Sequence, residues 1–157
     1  MDRPALKTAT YLSSRIQNEI IKIIGIKIIQ QSICDKVMEA NFFSILADEV
    51  TSYNTEIVVL CVRFVDKEFN IRKEFLHFSK VHRTTGAVVS KEILQVFNNL
   101  NLPVENARGQ GYDGAPNMSS DTVGVQGRII QISPLSIYIH CIGHCLNLII
   151  AIVLYAV

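Results

Sequence analysis

The sequence predicts an α/β protein: a helical segment, then a mixed sheet of three antiparallel strands followed by alternating helices and strands. The first observation is composition, because 157 residues with 49% apolar and 18% charged residues suffice for one core and exclude a disordered chain. The second is a change of period near residue 41, from helical spacing to β-branched and aromatic runs. The third is the alternation of helix and strand patterns beyond residue 84, which is typical of helices covering a sheet.

Residues 1–40 form the predicted N-terminal helical segment, and residues 41–157 form the predicted core domain. Apolar residues recur at helical spacing in the first region, at Leu12, Ile16, Ile20, Ile24, Ile28 and Val37. This spacing predicts one long helix or two shorter ones. A helix that crosses a bilayer needs ~20 consecutive apolar residues. This region has no apolar run of that length, and the run at 148–157 has only ten residues, so we expect no membrane role.

Three strands are predicted next. Residues 42–47 are almost wholly apolar, which is typical of a strand buried on both faces. Residues 56–65 and 71–78 are β-branched and aromatic runs, and the polar residues 66–70 between them indicate a hairpin connection. Thr84 or Thr85 then offers an N-cap for a helix that extends to about residue 99. The later predicted elements are a strand at 107–113, a helix at 123–132, a strand at 136–140 and a final apolar helix.

Charge, cysteines and the end of the sequence set further expectations. Fifteen basic and fourteen acidic residues leave a net charge of +1, so any role with DNA must come from a local site. Four irregularly spaced cysteines without an export signal favour reduced thiols in an intracellular compartment. The final apolar run lacks the residues that usually end a helix, and we therefore expect a truncated domain.

Two carboxylates close apolar strands and form the main candidate site. Asp48 follows the first strand and Asp113 ends the fourth, where Gly109 and Gly111 share its face and leave room for a ligand or another backbone. If the two strands are central neighbours, the acids converge, and Mg²⁺ or Mn²⁺ would relieve their repulsion. Each acid taken alone is more typical of a capping or ion-paired residue than of a metal ligand.

Residues 109–114 also match the dinucleotide-binding pattern G-x-G-x-x-G. We reject that interpretation because no Asp or Glu follows Asp121 to bind a ribose, and Asp113 would repel a pyrophosphate.

The segment 140–145 contains a third candidate motif. Cys141 and His144 lie three residues apart where a strand turns into a helix, and the spacing is compatible with zinc. A structural zinc site needs a second ligand pair, which is missing. We therefore favour the alternative that His144 lies near the acidic site and that Cys141 is a small, buried residue.

These motifs together resemble a known family. The sequence resembles the catalytic core of hAT-superfamily DNA transposases, and within it the transposase-derived zinc-finger MYM-type and BED-type proteins. Four segments occur in the family's order and carry the resemblance: residues 43–49 (FSILADE), 84–86 (TTG), 108–118 (RGQGYDGAPNM) and 140–148 (HCIGHCLNL).

The resemblance implies an RNase H-like fold with an acidic triad that binds two Mg²⁺ ions for DNA strand cleavage and transfer. Asp48 resembles the first acid and Asp113 the second, while Cys141 and His144 resemble a C-x-x-H motif that handles DNA. It also implies DNA as partner, a nuclear or nucleocytoplasmic location, and a homo-oligomer for the full-length protein.

The departures from the family are equally informative. The third acid, a Glu, is absent, and Glu49 is expected to face the wrong side of its strand. The family's zinc-finger and dimerisation regions are not in the sequence either. We therefore expect a catalytically incomplete transposase-derived domain. The alternatives are a domesticated module that binds protein or DNA for regulation, and a small metal-dependent nuclease that uses two acids.

Overall fold

The computed structural model describes residues 13–155, which divide into two compact units between Ser32 and Ile33. Helix α1 is Ser14–Lys22, and its N-cap Ser13 accepts a hydrogen bond from the amide of Ile16. A π-helical segment, Ile23–Gln30, and helix α2, Gln31–Ala40, follow. The helical prediction is confirmed from residue 14 onward, whereas its part at residues 1–12 lies outside the described residues.

A five-stranded mixed sheet forms the second unit. The strands are β1 (Phe43–Ser52), β2 (Thr55–Val65), β3 (Ile71–Val81), β4 (Ala107–Tyr112) and β5 (Ile137–His140). The remaining elements are α3 (Gly86–Asn99), a 3₁₀ turn (Val104–Asn106), α4 (Pro116–Ser119), α5 (Val125–Ile132) and α6 (Ile142–Tyr155). Among the described residues, no helix is both long and apolar enough to cross a membrane.

The strand order is β3-β2-β1-β4-β5, with β1 antiparallel to β2, β2 antiparallel to β3, and β4 parallel to both β1 and β5. The predicted mixed sheet is therefore confirmed, and β1 and β4 are neighbours at its centre. Thr85, one of the two N-cap candidates, accepts a hydrogen bond from the amide of Val88 and begins α3. Helix α4 lies between the predicted strand at 107–113 and the predicted helix at 123–132, where no helix was predicted.

Strand β1 differs from the prediction in two respects. It continues to Ser52 because β2 pairs with it over its whole length, so Asp48 lies inside the strand rather than at its end. It is also buried on one face only: Phe43, Ile45 and Ala47 are buried, whereas Ser44 and Leu46 are half-buried. Period-2 alternation in a sheet covered mainly on one side explains this pattern.

We call the buried side of the sheet the core face and the opposite side, which carries Ser44, Leu46 and Asp48 on β1, the open face. Residues of α2, α3 and α5 join the core-face residues in one apolar cluster. Its aromatic members include Phe43 of β1 and Phe97 of α3, whose rings stack at 5.6 Å. The open face has no comparable cluster among the described residues.

Candidate functional site

A cleft of about 590 Å³ lies on the open face, between the sheet and the beginning of α6. Its volume is in the range of small-molecule and cofactor sites. Four predicted site residues line it: Asp48, Asp113, Cys141 and His144. The tertiary structure thus brings together residues that are up to 96 positions apart in the sequence.

Asp48 is the exposed acid of β1. Alternation along the strand points its side chain to the open face, and its Oδ1 accepts a hydrogen bond from the amide of Glu49 at 3.0 Å. The carboxylate takes part in no ion pair among the described residues. Asp48 is therefore placed as a solvent-accessible oxygen donor, and the alternative of an ion-paired residue does not apply.

Asp113 comes directly after β4. Leu46 of β1 pairs with Gly111 of β4, so two residues further along the parallel strands Asp48 and Asp113 occupy matching positions. The Oδ1 atom of Asp113 accepts a hydrogen bond from the amide of Ala115 at 3.2 Å, which fixes the turn into α4. Asp113 thus combines a local capping role with a place in the cleft.

The glycines of β4 serve the sheet itself. A methyl group at Gly109 would lie 2.6 Å from Oγ of Ser44, and one at Gly111 would lie 2.7 Å from Cδ2 of Leu46. The room expected for a ligand or a backbone is thus taken by side chains of β1. Both glycines lie within a strand rather than in a strand-to-helix turn, which agrees with rejecting the dinucleotide fingerprint.

Glu49 turns to the other side of β1, as alternation predicts. Nδ2 of Asn117 donates one hydrogen bond to Oε1 of Glu49 at 2.9 Å and another to the carbonyl of Thr84 at 2.7 Å. Burial raises the pKa of Glu49 above its ordinary value, and the nearby carboxylate of Asp113 adds to the rise, while the hydrogen bond from Asn117 opposes it. Glu49 is therefore held away from the cleft that contains Asp48.

Cys141 and His144 stand at the wall of the cleft. The amide of Cys141 donates to the carbonyl of Tyr112 at 2.7 Å, which joins the start of α6 to the end of β4. The expectation of a buried Cys141 is wrong, because the residue is exposed at the start of α6. His144 is half-buried, and its ring centre lies 6.3 Å from that of His140. All four cysteines are free thiols.

Three further cleft residues were not predicted from the sequence: Arg63, Lys73 and Asn147. Arg63 and Lys73 face each other across β2 and β3 in the sheet register. Alternation within each strand could have placed them on one face, but only the pairing of β2 with β1 shows that this face contains Asp48. Asn147 lies on α6, whose position over the sheet no local pattern specifies.

The donor set restricts the metal that the cleft could hold. Within residues 13–155, no three His, Cys, Asp or Glu side chains converge as metal ligands. Zinc, which prefers four protein ligands in structural sites, does not fit. Mg²⁺ is commonly bound through one or two carboxylates and keeps several waters, so Asp48 and Asp113 fit a water-rich Mg²⁺ or Mn²⁺ site.

The strand order and the central acid pair define a mixed α/β domain of the RNase-like class. A family model described as the ZMYM1/FAM200 RNase-like domain (DUF4371) matches residues 1–124, and the chain belongs to this family. This confirms the RNase-like part of the resemblance.

Two curated relatives match most of the chain. The human "52 kDa repressor of the inhibitor of the protein kinase" is 29% identical over 140 residues, and its mouse counterpart is 28% identical over 139 residues. Each alignment covers 88% of this chain but only 18% of the relative. The chain thus corresponds to one part of much longer proteins.

Proposed function

We propose that this chain is an hAT-transposase-derived RNase H-like domain that retains two acids of the metal site but does not cleave DNA. The observation that carries the proposal is the placement of Asp48 on β1 and of Asp113 directly after the adjacent strand β4, in one cleft. Three of the four motifs that resemble the hAT core belong to, or adjoin, these strands and α6, whereas the motif at residues 84–86 begins α3. Membership of an RNase-like family supports the same origin.

Asp48 and Asp113 would hold one Mg²⁺ or Mn²⁺ ion weakly. Such an ion would supply positive charge to the oxygens that react in phosphodiester chemistry. The protein contributes two negative charges on rigid strands, which bring the ion to the central strands of the sheet. Cys141 and His144 border the same cleft and would contact DNA beside the ion.

The two-metal mechanism needs a third acid, and residues 1–157 do not place one in the cleft. No Asp or Glu lies between Asp121 and Val157, and the hydrogen bond from Asn117 holds Glu49 on the other side of β1. One ion held by two carboxylates does not provide the symmetric clamp on attacking and leaving oxygens.

Paramagnetic NMR with Mn²⁺ tests the metal site. We expect line broadening at the amides around Asp48 and Asp113, and its loss in Asp48→Asn and in Asp113→Asn. Glu49→Gln is the matched control, since it removes a neighbouring carboxylate that faces away from the cleft. Equal loss of broadening in all three variants would indicate nonspecific binding to acidic surface and would refute the site.

A nicking assay on supercoiled DNA tests the absence of cleavage. Purified chain with Mg²⁺ or Mn²⁺ should leave the plasmid intact. Robust metal-dependent nicking that disappears in Asp48→Ala would support the small two-acid nuclease instead.

A second candidate is a domesticated regulatory module in the nucleus, which binds protein or DNA and forms homo-oligomers within a longer protein. The name of the curated relatives, repressors of a kinase inhibitor, favours it. The test is a reporter assay with the chain fused to a heterologous DNA-binding domain. Repression that persists in the double variant Asp48→Asn/Asp113→Asn supports the module, whereas loss of repression ties the activity to the acid pair.

A further inference from the structure

The open face carries a basic pair beside the acid pair. Arg63 of β2 and Lys73 of β3 are directly opposite in the sheet register, and both line the cleft that contains Asp48 and Asp113. Both side chains belong to exposed residues, and neither forms an ion pair among the described residues. Two adjacent, unneutralised cations are thus held next to each other on a rigid sheet.

Arg72, the neighbour of Lys73, shows that these cations differ from an ordinary charged surface. Its Nε lies 3.5 Å from Oε1 of Glu74 and 3.9 Å from Oδ2 of Asp66. Alternation places Arg72 on the side of β3 opposite to Lys73. On β3 the cation of one face is thus neutralised, whereas Lys73 and, further along the strand, Lys80 form no ion pair on the open face among the described residues.

Lys73 lines the same cleft as Cys61 of β2. Burial raises the pKa of the Cys61 thiol, and the charge of Lys73 opposes this rise. Cys61 pairs with Leu46 of β1, and Arg63 pairs with Ser44. The basic pair is thus continuous, across β2, with the strand that carries Asp48.

The basic pair and the acid pair lie at different positions along the sheet. Ser44, in the row of the basic pair, precedes Asp48 by four residues on β1, which corresponds to about 13 Å along the strand. A DNA strand advances about 3.4 Å along the duplex axis per phosphate, so a strand that reaches both pairs would extend over several nucleotides.

We propose that Arg63 and Lys73 bind phosphates of a DNA strand that runs along the open face toward the acid pair. The inference rests on the proposed function, because it supplies the DNA that lies beside the metal. Cations without acidic partners attract phosphates and release their counterions, and this contact is independent of base sequence. The basic pair attracts the phosphates of the DNA strand, whereas the carboxylates of Asp48 and Asp113 repel them when no metal is bound. The two pairs together therefore set the position of the DNA strand along the open face.

Fluorescence anisotropy of a short labelled duplex tests this inference with the full chain in EDTA, over about 50 to 200 mM salt. Two phosphate contacts predict a slope of log affinity against log salt near −1.8, which is about a tenfold loss across this range. Lys73→Gln should halve the slope, and Arg63→Gln/Lys73→Gln should nearly abolish it. Arg72→Gln, which removes the same charge from the other face, should leave the slope unchanged.

Several outcomes would overturn the inference. Equal effects of Lys73→Gln and Arg72→Gln would show a response to net charge alone. Undetectable DNA binding would refute the inference. If DNA does not bind but labelled polyglutamate binds and depends on Lys73, the basic pair would belong to a site for an acidic protein instead. Circular dichroism of each variant checks that the fold is retained.

The design separates this inference from the proposed metal site. Asp48→Asn should bind DNA in EDTA at least as tightly as the parent chain, because it removes a charge that repels phosphate. If Mn²⁺ fails to bind but DNA binding depends on Lys73, only the metal site is refuted. If Mn²⁺ binds but the Lys73 dependence is absent, only the DNA path is refuted.

Discussion

The two faces of the sheet are built by the same strands but differ sharply in what they contact. On the core face, Ile45 and Leu60 are fully buried against residues from α3 and α5. On the open face, Ile137 and Ile139 of β5 are 68% and 58% exposed, and Ile139 lines the cleft that contains the acid pair. Because neighbouring residues of a strand point to opposite faces, one strand can stabilise the fold and present charged groups. The core face therefore determines stability, and the open face holds the candidate chemistry.

The largest expected contrast is between identical substitutions on the two faces. Ile45→Ala should lower the free energy of unfolding by about 2–5 kcal/mol, since it leaves a cavity in the core. Ile139→Ala should change it by less than about 0.5 kcal/mol, because its side chain is already largely in water. Urea unfolding followed by circular dichroism measures both.

If Ile45→Ala fails to fold, Ile45→Val replaces it, with an expected loss of about 0.5–1.5 kcal/mol. A loss at Ile139 as large as that at Ile45 would mean that the open face is covered in solution, and the comparison would fail.

Glycine-to-alanine substitutions should change the free energy of unfolding in opposite directions in α3, which packs on the core face, and in α6, which borders the cleft on the open face. A methyl group at Gly86 would lie 2.5 Å from the carbonyl oxygen of Val123 and 2.8 Å from that of Asn117, so the backbone must move. We expect a loss of about 1–3 kcal/mol. At Gly143 in α6 only Sγ of Cys141 lies near, at 4.0 Å, and alanine should stabilise the helix by about 0.5–1 kcal/mol. Thermal unfolding of both variants measures this, and two changes of the same sign would contradict it.

The smallest expected effect concerns Glu49, the acid held on the core side of β1. The pKa of Glu49 is higher in the folded state than its ordinary value of 4.5. Folding stability therefore falls as the pH rises above 4.5. Glu49→Gln should therefore raise the Tm at pH 7 by roughly 1–2 °C and have no such benefit at a pH below 4.5. Glu68→Gln, at an exposed hairpin position, is the control. A Tm gain for Glu49→Gln that is constant with pH would rule out the proton linkage.

Local patterns were sufficient for most of the secondary structure. The runs at 56–65 and 71–78 became β2 and β3, and Thr85 was among the predicted caps of α3. The end of β1 was missed, since strand length there depends on pairing with β2 rather than on the composition of residues 48–52. Helix α4 is too short for a periodic signal, so its segment resembles a loop in the sequence.

The candidate site was predicted in part. Asp48 and Asp113 were recognised as acids at strand ends, and their convergence depended on an assumed strand adjacency that the sheet order confirms. Arg63 and Lys73 were missed because a basic residue in a strand carries no signal of which neighbour it faces. The exposure of Cys141 was also misjudged, since burial depends on how other elements cover α6.

Local sequence patterns specify the order of helices and strands, the alternation of residues within each strand, and the acids available for a site, because these depend on residues close in the chain. Such patterns do not specify that β1 lies between β2 and β4, which side of the sheet the helices cover, or that the basic pair shares a cleft with the acid pair. These features depend on pairing between distant strands, whose free energy comes from burying a common apolar face.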